Sequence, residues 1–182
     1  MKRRELKGAV VVMTGASSGV GRAAALMFGR RGARLVLAAR DPESLEEVAQ
    51  ECRDTYGTGA ISVVTDVRDE ASVEALSQIA IERFGRIDVW VNDAAVYMLG
   101  TLEDCPTQAI KDLFETNVMG VLHGTRAAVG AFRRQGGHGV LVNMGSIAGK
   151  VSYAKAGAYC ASKHAVHAIT EALRQERPRS RS

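Results

Sequence analysis

The chain has 182 residues, 46% of them apolar and 24% charged, proportions that allow one domain with a real core and exclude a disordered chain. No apolar run reaches the roughly 18 residues a membrane-spanning helix needs, and Met1 to Lys7 leads into a strand rather than a signal-peptide core, so no membrane partner and a cytoplasmic location are expected. The formal charge of +4 does not make a nucleic-acid binder: part of the excess lies at the ends, in Lys2, Arg3, Arg4, Arg177, Arg179 and Arg181, and aromatics are only 5%, so no basic face is interleaved with stacking residues.

Ala9 to Met13 is a buried apolar strand that runs into Thr14-Gly15-Ala16-Ser17-Ser18-Gly19-Val20-Gly21, and an apolar helix follows from Arg22 to Arg30. Strand, glycine-rich turn and helix form the unit that cradles a dinucleotide. Gly15 permits the turn, Gly19 lets backbone approach a pyrophosphate, Gly21 lets the helix pack closely, and the helix N–H groups face the phosphates. Strands are predicted next at Arg34 to Ala38, Ala60 to Val64, Val89 to Val91 and Val140 to Val142. Helices are predicted at Pro42 to Tyr56, Glu70 to Phe84, Pro106 to Gln135 and Ala158 to Arg174. Apolar strands alternating with helices mean a parallel sheet covered on both faces, an α/β doubly wound fold of Rossmann type with about five strands. Residues 1–176 form one domain on this reading, and Arg177 to Ser182 a disordered basic tail.

Two further features carry chemistry. Strand two ends in Leu37-Ala38-Ala39-Arg40, with alanine where an NAD enzyme would carry an acid for the ribose 2′-hydroxyl and with an arginine able to pair a 2′-phosphate. NADP(H) is therefore expected over NAD(H), which stays possible if Asp41 serves as partner to Arg40 or as a displaced ribose ligand. Tyr159 and Lys163 lie four residues apart on one helix face, and an ammonium beside a phenol favours the phenolate, drawing the tyrosine down from its reference of about 10 toward use as a general acid or base. Tyr153 lacks such a partner, since Gly157 is its i+4 neighbour.

Thr14-Gly15-x-x-x-Gly19-x-Gly21, Asp66-Val67, Asn92 followed by Ala94, Asn117, Ser146 and Tyr159-x-x-x-Lys163 together resemble the short-chain dehydrogenase/reductase family, in its order and spacing, over about residues 7 to 176. The resemblance implies an oxidoreductase that moves a hydride between nicotinamide and a small carbonyl or secondary alcohol. Ser146 would hold the substrate oxygen and Tyr159 would pass the proton. Lys163 would hold the nicotinamide ribose, and Asn117 would hold a water linking Lys163 to solvent. Asp66 would accept from the adenine amino group and Val67 would give backbone contact, while a helix cap is the plainer use of Asp66. The family's Asn-Asn-Ala-Gly is here Asn92-Asp93-Ala94-Ala95, which adds a charge and a Cβ beside the cofactor and predicts weakened affinity.

The family continues beyond its tyrosine helix with another parallel strand, a Pro-Gly turn, a substrate loop and a last strand, so this sequence reads as a C-terminally short member whose fifth strand is an edge. The alternative to a working enzyme is a truncated relative that binds nucleotide or self-associates but turns over little. The long helices resemble those through which the family dimerises, so a homo-oligomer is expected. An epimerase of the related longer family is less well supported, because its loop carries G-x-x-G-x-x-G. Cys52, Cys105 and Cys160 offer neither a disulfide framework nor a zinc cluster, and His164 with His167 lacks further ligands, so no metal is expected.

Overall fold

The computed structural model describes residues 6–176. Five parallel strands, β1 (Val10–Thr14), β2 (Arg34–Ala39), β3 (Ala60–Val64), β4 (Val89–Asn92) and β5 (Val140–Asn143), form one sheet in the order β3-β2-β1-β4-β5. The chain steps outward from β1 to β3, then returns to the other side of β1 for β4 and β5. Strand order therefore reverses between β1 and β4, where such sheets leave a crevice at their carboxyl ends.

The helices are α1 (Gly19–Arg30), α2 (Pro42–Tyr56), α3 (Glu70–Phe84), α4 (Thr107–Phe114), α5 (Gly120–Arg134) and α6 (Gly157–Glu176). One sheet face, with Val11, Met13, Leu35 and Leu37, packs on Ala25 of α1 and on Leu45, Val48 and Cys52 of α2. The other, with Val12, Val36 and Trp90, packs on Val73 and Leu76 of α3 and on Ala128 and Phe132 of α5. Strands covered on both faces must be apolar at every position, hence Val-Val-Val-Met in β1. Each fully buried Leu or Val contributes about 1.5–3 kcal/mol.

Local signals set the helix bounds. Asp41 accepts from the Glu43 N–H to cap α2, Pro42 occupies its first turn, and Gly57 closes it in the left-handed conformation (φ 62°). The cap of α3 is Asp69, which accepts from Ala71 N–H, rather than Asp66. The predicted helix from Pro106 to Gln135 is interrupted: a π-helical turn, Glu115–Met119, separates α4 from α5. Among the described residues β5 pairs with β4 alone, and Val140 and Val142 are exposed at 37% and 39%. The tail from Arg177 onward lies outside the described residues.

Candidate active site

A cleft of about 550 Å³ opens at the carboxyl ends of β1, β2 and β4, at the strand-order reversal. Gly15, Ser17, Ser18, Gly19 and Val20 line one wall; Arg40, Asp66 and Val67 line the far end; Asp93, Ala94, Ser146, Tyr159 and Lys163 line the near end. Three of the residues singled out in the sequence stand behind the lining: Gly21, Asn92 and Asn117.

The glycine turn is fixed by steric necessity. Gly15 has φ 72°, and a Cβ there would lie 2.6 Å from the Ala94 nitrogen, so the ends of β1 and β4 approach only over a glycine. A Cβ on Gly21 would lie 2.1 Å from the Gly15 carbonyl oxygen and 2.7 Å from Asp93 Oδ2. Gly21 thus packs against the turn itself and the Asp93 carboxylate. Beyond Gly19 (φ 53°) there is open space, and Ser18, at the N-cap of α1, makes no side-chain cap. First-turn N–H groups of α1 accordingly face the cleft free of a capping hydroxyl, a cradle that fits a phosphate.

At the far end, Arg40 is exposed at the tip of β2. Asp41 is engaged as the α2 cap and also accepts from the Ser44 hydroxyl, which holds its carboxyl below the usual range. Asp66 accepts from the Arg68 backbone N–H at 3.0 Å and from its guanidinium at 2.6 Å, and Arg68 lowers its pKa. Val67 is buried, and His123 Nδ1–H donates to its carbonyl at 2.9 Å, leaving its N–H as the group for a ligand.

The near end is held by polar tethers. Asn117, 1% exposed in the π-helical turn, accepts from Val96 N–H (2.8 Å) and donates to Val96 O (2.9 Å) and Ser162 Oγ (3.1 Å). Ser162 donates in turn to Tyr159 O at 2.7 Å. Tyr97, next to the tethered Val96, meets the Tyr159 ring edge-on with centroids 4.6 Å apart. Asn92 is also spent internally: it accepts from Trp90 Nε1 (2.8 Å) and donates to Asn143 Oδ1 (2.9 Å), and Asn143 donates to Thr170 Oγ1 of α6 (2.9 Å). Ser146 accepts from Ala148 N–H, so its hydroxyl oxygen caps the following 3-10 turn while lining the cleft.

Lys163 is 3% exposed. Its Nζ donates to Met144 O at 3.0 Å and lies 5.9 Å from the Tyr159 ring centroid. Burial pushes its pKa down, and the nearby Asp93 opposes that shift. For Asp93 burial pushes the carboxyl up, opposed by Lys163 and by the Gly21 N–H. Asp93 and Lys163 thus line the same end of the cleft, and each charge favours the other, more than 60 residues apart in sequence.

Sequence reasoning passed over four participants. Tyr97 and Ser162 orient Tyr159. Met144 O holds Lys163, and Thr14 Oγ1 accepts from the N–H groups of Asp93 and Ala94 at 3.3 Å. Two of them had a signal: Thr14 heads the glycine motif, and Ser162 is a small polar residue one turn after Tyr159. His164 and His167 bond to the carbonyls of Cys160 and Ser146.

Residues 9–181 match the family model for short chain dehydrogenases. The chain is 41% identical over 176 residues to the uncharacterized oxidoreductase YxnA of Bacillus subtilis, covering 97% of this chain and 49% of that protein. A crystal structure of a short chain dehydrogenase/reductase from Burkholderia phymatum in complex with NAD superposes with TM-score 0.92 at 38% identity, over 96% of this chain and 62% of that one. An alcohol dehydrogenase from the archaeon Thermococcus sibiricus complexed with 5-hydroxy-NADP superposes with TM-score 0.89 at 30% identity, over 93% and 72%. The chain spans about half the length of the Bacillus relative. With the glycine turn, the strand-order reversal and the Tyr159–Lys163 helix all in place, the chain belongs to the short chain dehydrogenase family.

Proposed function

We propose that the protein binds a nicotinamide dinucleotide along the cleft and reduces a small carbonyl compound, or oxidises the matching secondary alcohol. The observation that carries this reading is that Tyr159, Lys163 and Ser146 line the same cleft as the glycine turn of α1. The dinucleotide, when bound, supplies or takes the hydride. Ser17, Ser18, Gly19 and Val20 hold its pyrophosphate at the α1 N-terminus, Asp66 and the Val67 N–H hold adenine, and Lys163 holds the ribose next to the nicotinamide. Tyr159 moves the proton at the substrate oxygen, and Ser146 Oγ hydrogen-bonds that oxygen. Asn117 keeps the Val96–Tyr97 segment against Tyr159 and, by family likeness, binds the water that relays protons from Lys163.

NADP(H) is preferred on this reading. Arg40 lines the cleft as a cation able to pair a 2′-phosphate, and the next residue, Asp41, is committed to capping α2. Titration with NADPH and NADH, followed by nucleotide fluorescence, tests both statements. NADPH binding at least about tenfold tighter, lost in Arg40→Ala, supports the preference; equal affinities overturn it. Turnover of aldehydes or ketones that vanishes in Tyr159→Phe while binding persists supports the catalytic assignment.

A second reading, a nucleotide-binding or self-associating relative with little turnover, is favoured by β5, which among the described residues pairs on one side only and exposes Val140 and Val142. It predicts binding without Tyr159-dependent turnover. A cytoplasmic location and association through α4, α5 and α6 complete the proposal; among the described residues no helix is long and apolar enough to cross a membrane.

A further inference from the structure

Asp93 is the one acidic side chain at the catalytic end of the cleft, and three elements fix its position. Its backbone N–H donates to Thr14 Oγ1 at the end of β1 (3.3 Å), and its Oδ2 is close enough to α1 that a Cβ on Gly21 would lie 2.7 Å from it. From α6, Lys163 lines the same end of the cleft and its charge acts on the Asp93 carboxyl. The other charged or titratable groups around it look elsewhere. Arg22 of α1 is paired with Glu51 at 2.5 Å, His167 of α6 turns toward the Ser146 carbonyl, and Arg40 and Asp66 stand at the far end of the cleft. The Asp93 carboxylate therefore occupies the first turn of α1 from inside, beside the free N–H groups that suit a ligand phosphate, and it screens the Lys163 ammonium.

We infer that Asp93 is a charge set against the dinucleotide, so that the protein binds the nucleotide more tightly when Asp93 is protonated and loses affinity as that proton leaves. Two effects act in the same direction. The ionised carboxylate repels the pyrophosphate, and it spends part of the attraction that Lys163 would otherwise exert on the ligand. Withdrawal of Asp93 from water raises the acidity range in which the exchange occurs above that of an ordinary carboxyl. The inference rests on the dinucleotide reading of the cleft.

The probe is NAD+, whose pyrophosphate charge is constant across the range, titrated calorimetrically from about pH 4, near the ordinary carboxyl range, to about pH 8 into the wild type and Asp93→Asn. The wild type should bind about three- to tenfold tighter at the acid end, and Asp93→Asn should bind as tightly at every pH as the wild type does in acid. Linkage supplies a second readout in the unmutated chain: saturating NAD+ must raise the Asp93 pKa, read from its carboxyl 13C resonance, by the logarithm of the same ratio. Binding that is equal in both proteins with the same pH profile, or an Asp93 resonance whose titration NAD+ leaves unmoved, overturns the inference while leaving the dinucleotide reading intact. Failure of both proteins to bind NAD+ or NADP+ at any pH overturns both.

Discussion

The two halves of the molecule hold their functional groups by different physics. Around β1, β2, α1 and α2 the cofactor wall rests on close packing: β1 is buried at all five positions, and the turn exists because backbone passes within van der Waals contact of backbone at Gly15 and Gly21. Around α6 and the 3-10 turn after β5 the apolar cluster is small, Ala148, Ala156 and Cys160 with Tyr159 against them, and position is set by amide and hydroxyl tethers. Packing holds a wall rigid without choosing a direction, whereas hydrogen bonds orient single side chains. A surface that cradles phosphates needs the first, and a proton-transferring phenol needs the second.

The largest effect that would sharpen the contrast is a matched pair of truncations. Leu37→Ala, in the double-sided core, should cost about 3–5 kcal/mol, and Val142→Ala, on the open edge, under about 1 kcal/mol, read from urea midpoints at constant m-value. A large loss at Val142 would break the contrast, because it would mean that the edge is covered in solution. Asn117→Ala should fall between them, about 1–2 kcal/mol, since it leaves the part-buried N–H and C=O of Val96 without their partner; hydrogen exchange of the Val96 amide should accelerate in step. Unchanged exchange would show that the tether is not what holds this segment.

The smallest effect concerns Lys163. Its burial lowers its pKa, so between that lowered value and the ordinary lysine value of about 10.4 the folded chain binds fewer protons than the unfolded one, and stability rises with pH there. Wild type should gain about 0.5–1 kcal/mol over Lys163→Met as pH rises from about 8 to about 10, measured by urea midpoints at each pH. Parallel pH profiles would mean that the ammonium is solvated after all.

Strands and helices were legible to within a few residues because valine-rich runs and capping pairs such as Asp41-Pro42 act locally. So was the glycine turn, whose spacing is a demand of the backbone itself. What escaped was long-range. Asp93 was readable as a foreign charge, yet its sharing one end of the cleft with Lys163 depends on the tertiary fold. The carbonyls of Val96 and Met144 carry no side-chain signature, so their grip on Asn117 and Lys163 could be found only in three dimensions. Asp66 holds the Arg68 N–H in the preceding turn and does not cap α3, because the helix begins three residues later at a second aspartate that serves as well.

The π-helical turn at Glu115–Met119 has no marker in its sequence, and its effect is one of phase. A helix advances about 100° per residue, so one residue more than a regular turn requires rotates everything after it by about that angle. Upstream of the turn, α4 presents itself to α6; downstream, α5 presents itself to α3. A single rod thus serves two neighbours on different sides, with Asn117 at the step between them. Removing one residue there would turn the two ends out of register with each other, so the length of this helix is as constrained as the identity of any residue in the cleft.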